Sequence, residues 1–181
     1  MRRAFRRQIR RTLAADVPPI LQRANNLLDK GDYRRAAEAF EQLGEAAEKR
    51  GGPRAPMFYL QAGRSWMMAG NAGAALDHFK RALGLFAGRG QNKRVQQAAV
   101  RILDELGRLG FTKEAAELKT YLHELLPGPI NFTQPTTAPS RARLPTHCPS
   151  CGAALRSDEV EWIDPGTAEC AYCGSPVHTQ G

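Results

Sequence analysis

Cys148-Pro-Ser-Cys151-Gly and Cys170-Ala-Tyr-Cys173-Gly stand 18 residues apart near the end of a 181-residue chain and hold all four of its cysteines. A C-x-x-C turn presents two sulfurs on one side, and its backbone N–H groups can face the thiolates and offset their charge. Gly152 and Gly174 follow directly, each free to take φ > 0. Two such turns at this spacing supply the four soft ligands that Zn²⁺ takes at about 2.3 Å in a tetrahedron. Iron in the same geometry is the residual alternative. Four thiolates leave no coordination position for water or substrate, so the expected role of the ion is structural. The last 34 residues have too little core to stand without such a staple.

Other uses of the cysteines fail on specific grounds. A redox C-x-x-C opens a helix in a βαβ unit, and no such unit is readable here. Two disulfides need an oxidising compartment that nothing else supports. A two-zinc RING arrangement needs about eight ligands. His147 and His178 flank the module, but four thiolates already complete the tetrahedron. Between the turns, Val160-Glu161-Trp162-Ile163 alternates like a strand and Asp164-Pro165-Gly166 reads as a turn. Residues 146–181 resemble the zinc-ribbon family, and all four metal positions match. Trp162 is expected to supply the module's core. Its alternative use, stacking on a base as aromatics in some ribbons do, is opposed by Asp158, Glu159, Glu161 and Asp164 around it.

Residues 17–126 carry a different signal, a period of about 40. Gly31, Gly70 and Gly110 lie 39 and 40 residues apart, each followed by a similar segment: GDYRRAAEAFEQL, GNAGAALDHFKRA and GFTKEAAELKTYL. Ala36, Ala75 and Ala115 come five residues after the glycines; Phe40, Phe79 and the discordant Lys119 come nine after. Leu43, Ala82 and Leu122 come twelve after, so these offsets mark one helix face. Each glycine is preceded by another apolar-periodic helix: Ile20, Ala24, Leu27 and Leu28; then Tyr59, Ala62, Gly63 and Trp66; then Ala99, Ile102, Leu103 and Leu106. Asp32, Asn71 and Thr112 are the expected N-caps after the glycine exits, and Val17-Pro18-Pro19 fits a helix start.

These residues resemble tetratricopeptide repeats, in which a turn glycine precedes an Ala-x-x-x-Phe helix. The second repeat matches best, through Gly63, Trp66, Gly70, Ala75, Phe79 and Ala82. The period departs from the usual 34 residues, which lengthens the second helix and its following loop. Lys119, where the family has an aromatic, suits a last repeat with no neighbour. The bland alternative is an irregular helical bundle. The resemblance implies a short solenoid of three helical hairpins with a concave partner groove, here lined by Asn25, Arg64, Met68, Asp104 and Arg108. Leu21 occupies a position where the carboxylate clamp of some family members needs a lysine. A solvated helix face is the plainer reading of each groove residue.

Three further features set the surroundings. The first 16 residues form a basic segment: Phe5, Ile9 and Leu13 mark a narrow apolar stripe, with Arg2, Arg3, Arg6, Arg7, Arg10 and Arg11 around it. This segment fits a docked extra helix, a frayed tail, or a contact to RNA or an anionic membrane surface. Residues 127–145, rich in proline, read as a semi-extended linker between two modules. The net charge of +8 is uneven, because residues 146–181 set Arg156 against five acids, which disfavours a phosphate grip by the cysteine module. No stretch is long and apolar enough to span a membrane, and no apolar run follows the N-terminal arginines, so a cytoplasmic protein is expected.

No nucleophile context, paired-carboxylate site or phosphate loop is present; AGRGQNKR lacks the strand context and the Lys-Ser ending. The sequence thus predicts a mainly α protein, three TPR-like hairpins followed by a small β zinc ribbon. It is read as a non-enzymatic, zinc-binding adaptor for protein partners. The alternative is a nucleic-acid- or ribosome-associated factor using the N-terminal arginines and the ribbon.

Overall fold

A computed structural model describes residues 17–126, 143–157, 160–164 and 166–180. The basic segment 1–16 lies outside them, as do residues 127–142 of the Pro-rich stretch and Asp158, Glu159 and Pro165. The described residues form six α-helices and a three-stranded antiparallel sheet: α1 Pro19–Asp29, α2 Tyr33–Lys49, α3 Ala55–Met68, α4 Ala72–Ala87, α5 Asn92–Arg108, α6 Thr112–Leu125, β1 Glu161–Asp164, β2 Thr167–Glu169 and β3 Pro176–His178. No helix among them is long and apolar enough to cross a membrane. They divide into two compact units. One gathers the described residues of Met1–Lys30 and Thr137–Gly181, the other those of Gly31–Thr136.

Within the second unit α2 packs on α3, α3 on α4, α4 on α5 and α6, and α5 on α6. Most of the expected apolar offsets are buried, whereas Ile20, Leu27, Leu28, Trp66, Leu103 and Ala115 are only half-buried. Ala36, Ala75, Phe40, Phe79 and Ala82 are fully buried, as are Ala62, Ala99, Ile102 and Leu106 from the preceding helices. Lys119, the discordant position, is exposed, and α6 buries Leu118 and Leu122 instead. Gly63 shows why a residue without Cβ stands in α3. A methyl group there would come within 2.6 Å of the Phe79 ring, so the close approach of α3 and α4 depends on its absence.

Helix ends follow from local chemistry. Gly70 and Gly110 take φ of 80° and 79°, and the next N–H turns back onto the helix: Asn71 N to Trp66 O at 2.9 Å and Phe111 N to Leu106 O at 2.9 Å. Gly90, midway between them in sequence, closes α4 in the same way through Gln91 N to Phe86 O at 3.0 Å. At the helix starts, Asn71 caps α4 by accepting from Ala74 N at 3.1 Å, whereas Asp32 makes no such side-chain bond. Thr112 is not the N-cap that its side chain suggests. It is the first residue of α6, and Phe111 holds the N-cap position. Pro18 and Pro19 begin α1 as expected, where a missing N–H costs nothing.

One polar network ties three helices of this unit. Tyr59 of α3, stacked on His78 with ring centroids 6.0 Å apart, donates its hydroxyl to Glu48 of α2 at 2.8 Å. Arg81 of α4 also bonds Glu48. Burial, reinforced by Glu48, pushes the Tyr59 phenol up to about 12. Burial alone would raise Glu48, but the hydrogen bonds from Tyr59 and Arg81 outweigh it and hold the carboxyl below its ordinary value.

Candidate metal centre

The sheet of the cysteine unit has strand order β1-β2-β3. Ala168 faces Trp162 on one side and Val177 on the other, and the pairing slips after Trp162. Alternation along β2 and β3 turns Ala168 and Val177 inward, where they are fully buried together with Ala153 and Tyr172. Trp162 is not the core residue that its size suggests. It is only half-buried, and its indole N–H donates to Ser157 O at 3.1 Å. Four sulfurs fill the centre, and Tyr172 rather than Trp162 is the buried aromatic beside them.

The two cysteine turns share one backbone design. Cys148 N donates to Ala153 O at 2.8 Å and Gly152 N to Cys148 O at 2.9 Å; Cys170 N donates to Ser175 O at 2.9 Å and Gly174 N to Cys170 O at 2.8 Å. Gly152 and Gly174 both take φ of 75°, which an L side chain rarely tolerates. The N–H of Cys151 points at the Cys148 sulfur and that of Cys173 at the Cys170 sulfur, as the turn chemistry requires. The Ser175 side chain adds a hydrogen bond to Cys173.

All four cysteines are buried free thiols whose sulfurs lie within 4.8 Å of one another. Cys148 Sγ and Cys173 Sγ are 3.7 Å apart, and Cys151 Sγ and Cys170 Sγ 3.9 Å. Four sulfurs placed about 2.3 Å from a common centre in a tetrahedron would be about 3.8 Å apart. The donor set therefore fits one tetrahedral, thiophilic metal ion. Crowding makes the thiols titrate as a group. The Cys151 thiol, then Cys170, draws Cys148 down to about 6, and Cys148 foremost draws Cys173 down. Cys151 and Cys170 are pushed up, in both cases chiefly by Cys148. A divalent cation at the centre is what would let all four ionise together.

Neither flanking histidine enters the cluster. His147 Nε2 lies 3.4 Å from Asp29 Oδ1, and His178 Nδ1 lies 3.3 Å from Thr167 Oγ1. Among the described residues no second group of His, Cys, Asp and Glu side chains gathers in this way. The six N-terminal arginines lie outside those residues.

Of the five groove residues, Arg64, Met68, Asp104 and Arg108 lie in the helical unit and Asn25 in the cysteine unit. Arg64 of α3 pairs with Glu105 of α5 at 3.3 Å, Arg108 pairs with Asp104 along α5 at 2.7 Å, and Met68 at the end of α3 is 49% exposed. Asn25 belongs to the cysteine unit, where it is buried and its amide donates to Cys151 O at 2.7 Å. Sequence reasoning missed this bond, and no local signal could have found partners 126 positions apart. It also missed Tyr172, whose burial could have been suspected from an aromatic inside a C-x-x-C turn. No family model, characterised protein or solved structure matches the chain.

Proposed function

We propose that this chain is a non-enzymatic adaptor built around one structural Zn²⁺, held by Cys148, Cys151, Cys170 and Cys173 in a zinc ribbon. The closed cluster of four buried sulfurs carries the reading. Zinc is favoured because four thiolates in a tetrahedron suit a soft divalent ion without redox demands. Such an ion supplies positive charge that binds the two turns into one fold, and four sulfurs leave it no open position for chemistry.

The helical hairpins supply the recognition half of the proposal. The glycine exits, the Ala-x-x-x-Phe faces and the Gly63–Phe79 approach favour a tetratricopeptide-like stack over an irregular bundle. Arg64, Met68, Asp104 and Arg108 are the residues we assign to its partner-facing surface, and the compartment is the cytoplasm. Affinity capture with the full chain, with and without nuclease, tests the adaptor function. Protein partners that persist through nuclease and weaken with Arg64→Ala are expected. Partners that vanish after nuclease would replace this reading with that of a nucleic-acid-associated factor.

A further inference from the structure

The cysteine unit contains an element that the C-terminal sequence does not supply, the helix α1. Along one side of α1, at i, i+3 and i+7, Gln22, Asn25 and Asp29 meet residues of the first cysteine turn or its edge. Gln22 Nε2 donates to Ser150 O at 3.1 Å, Asn25 Nδ2 donates to Cys151 O at 2.7 Å, and Asp29 lies against His147. Asn25 is 2% exposed, so its amide depends on this partner; a buried amide without one is heavily penalised. The approach is close, since a Cβ built on Gly152 would lie 3.7 Å from Asn25 Cβ.

The second turn is covered differently. Tyr172 there is buried and Ala171 half-buried, whereas the equivalent Ser150 and Pro149 of the first turn are exposed. The second turn thus brings its own cover, and the first has its outward carbonyls met by α1. These carbonyls belong to the turn that presents Cys148 and Cys151, so their direction is fixed when those two sulfurs hold an ion. Whatever fixes them for α1 fixes them for the metal, and the coupling is reciprocal.

We propose that Asn25, assisted by Gln22, is a positioning residue for the metal site, and that ion occupancy and the seating of α1 are one coupled event. Loss of the ion unseats α1 and breaks the contacts of Gln22, Asn25 and Asp29 with the first turn. The inference rests on the four-sulfur metal site proposed above, and a single experiment separates the two. Hydrogen exchange is followed on the full chain with Zn²⁺ and after chelation, and the rate of Zn²⁺ transfer to a chromophoric chelator is compared for the parent, Asn25→Ala and Gln22→Ala.

Chelation is expected to strip protection from residues 19–29 together with the cysteine turns, while α3 and α4 keep theirs. Asn25→Ala should weaken Zn²⁺ retention about 10- to 100-fold, the range for residues that orient metal ligands. Gln22→Ala, whose exposed side chain can be removed without unfolding the unit, should weaken it about 2- to 10-fold. Protection of α1 that ignores chelation, or Gln22→Ala and Asn25→Ala chains that release Zn²⁺ at the parent's rate, would overturn the coupling alone. A chain that takes up no Zn²⁺ would overturn the metal site as well.

Discussion

The two compact units bury different things. In the helical unit the fully buried side chains include a large apolar set, Phe40, Phe79, Leu83, Val95, Ile102, Leu106, Leu118 and Leu122, packed among alanines. Each such residue withdraws enough surface from water to stabilise the fold by about 1.5–3 kcal/mol. In the cysteine unit, beyond α1, the buried set is four thiols with Ala153, Ala168, Tyr172, Val177 and Ser175. Strands of three or four residues around such a core supply little apolar burial. One unit is held by what it hides from water, and the proposed ion would hold the other through its four sulfurs. Changes to one should therefore leave the other standing.

The largest effect is expected from Cys170→Ser, which removes one of four ligands. A structural zinc site contributes on the order of 10–16 kcal/mol to the folding of a small module. Trypsin should cut the cysteine unit of this variant freely while α2–α6 stay protected, as judged by mass spectrometry of the fragments. Equal protection in variant and parent would erase the contrast between the units. Phe79→Ala should act in reverse, costing the helical unit about 3–5 kcal/mol in chemical denaturation without changing metal content. Gly63→Ala probes the same contact from the other side. The added methyl, 2.6 Å from the Phe79 ring, should cost about 1–3 kcal/mol by overpacking. Better helix propensity offsets up to about 1 kcal/mol of that. A Gly63→Ala chain more stable than the parent would show that α3 and α4 are not closely fitted there.

The smallest effect concerns Tyr59. Its phenol ionises near 10 when unfolded and at about 12 when folded. The folded state thus disfavours the charged form, so this contribution is intact below about pH 10 and is lost as pH rises towards 12. Thermal melts of the helical unit should fall over that window, and Tyr59→Phe should flatten the fall. A decline of the same steepness in Tyr59→Phe would show that other groups cause it.

What the sequence disclosed divides along the same line. Period and residue size were enough to find the buried face of α2 and α4, because Ala36, Phe40, Ala75 and Phe79 are set by 3.6-residue geometry within one helix; in α1 they pointed to Ile20, Leu27 and Leu28, which are half-buried, and missed Leu21. Spacing alone was enough to gather the four cysteines, since each turn is local and the metal chemistry links the two. Thr112 was misread because a side chain able to cap is not obliged to, and the chain entered α6 one residue earlier. Trp162 was misread because size is a poor guide to the core of a module centred on sulfur. Asn25 was placed in a groove on the strength of the repeat alone. Its bond to Cys151 O depends on tertiary folding, which no pattern within either segment encodes.

Native mass spectrometry of the intact purified chain is the most direct test of the central claim. The account predicts a single species heavier than the bare polypeptide by one zinc ion, reverting to the bare mass after chelation. A chain that flies at its polypeptide mass from a zinc-containing buffer, with its cysteines still shielded from alkylation, would contradict it.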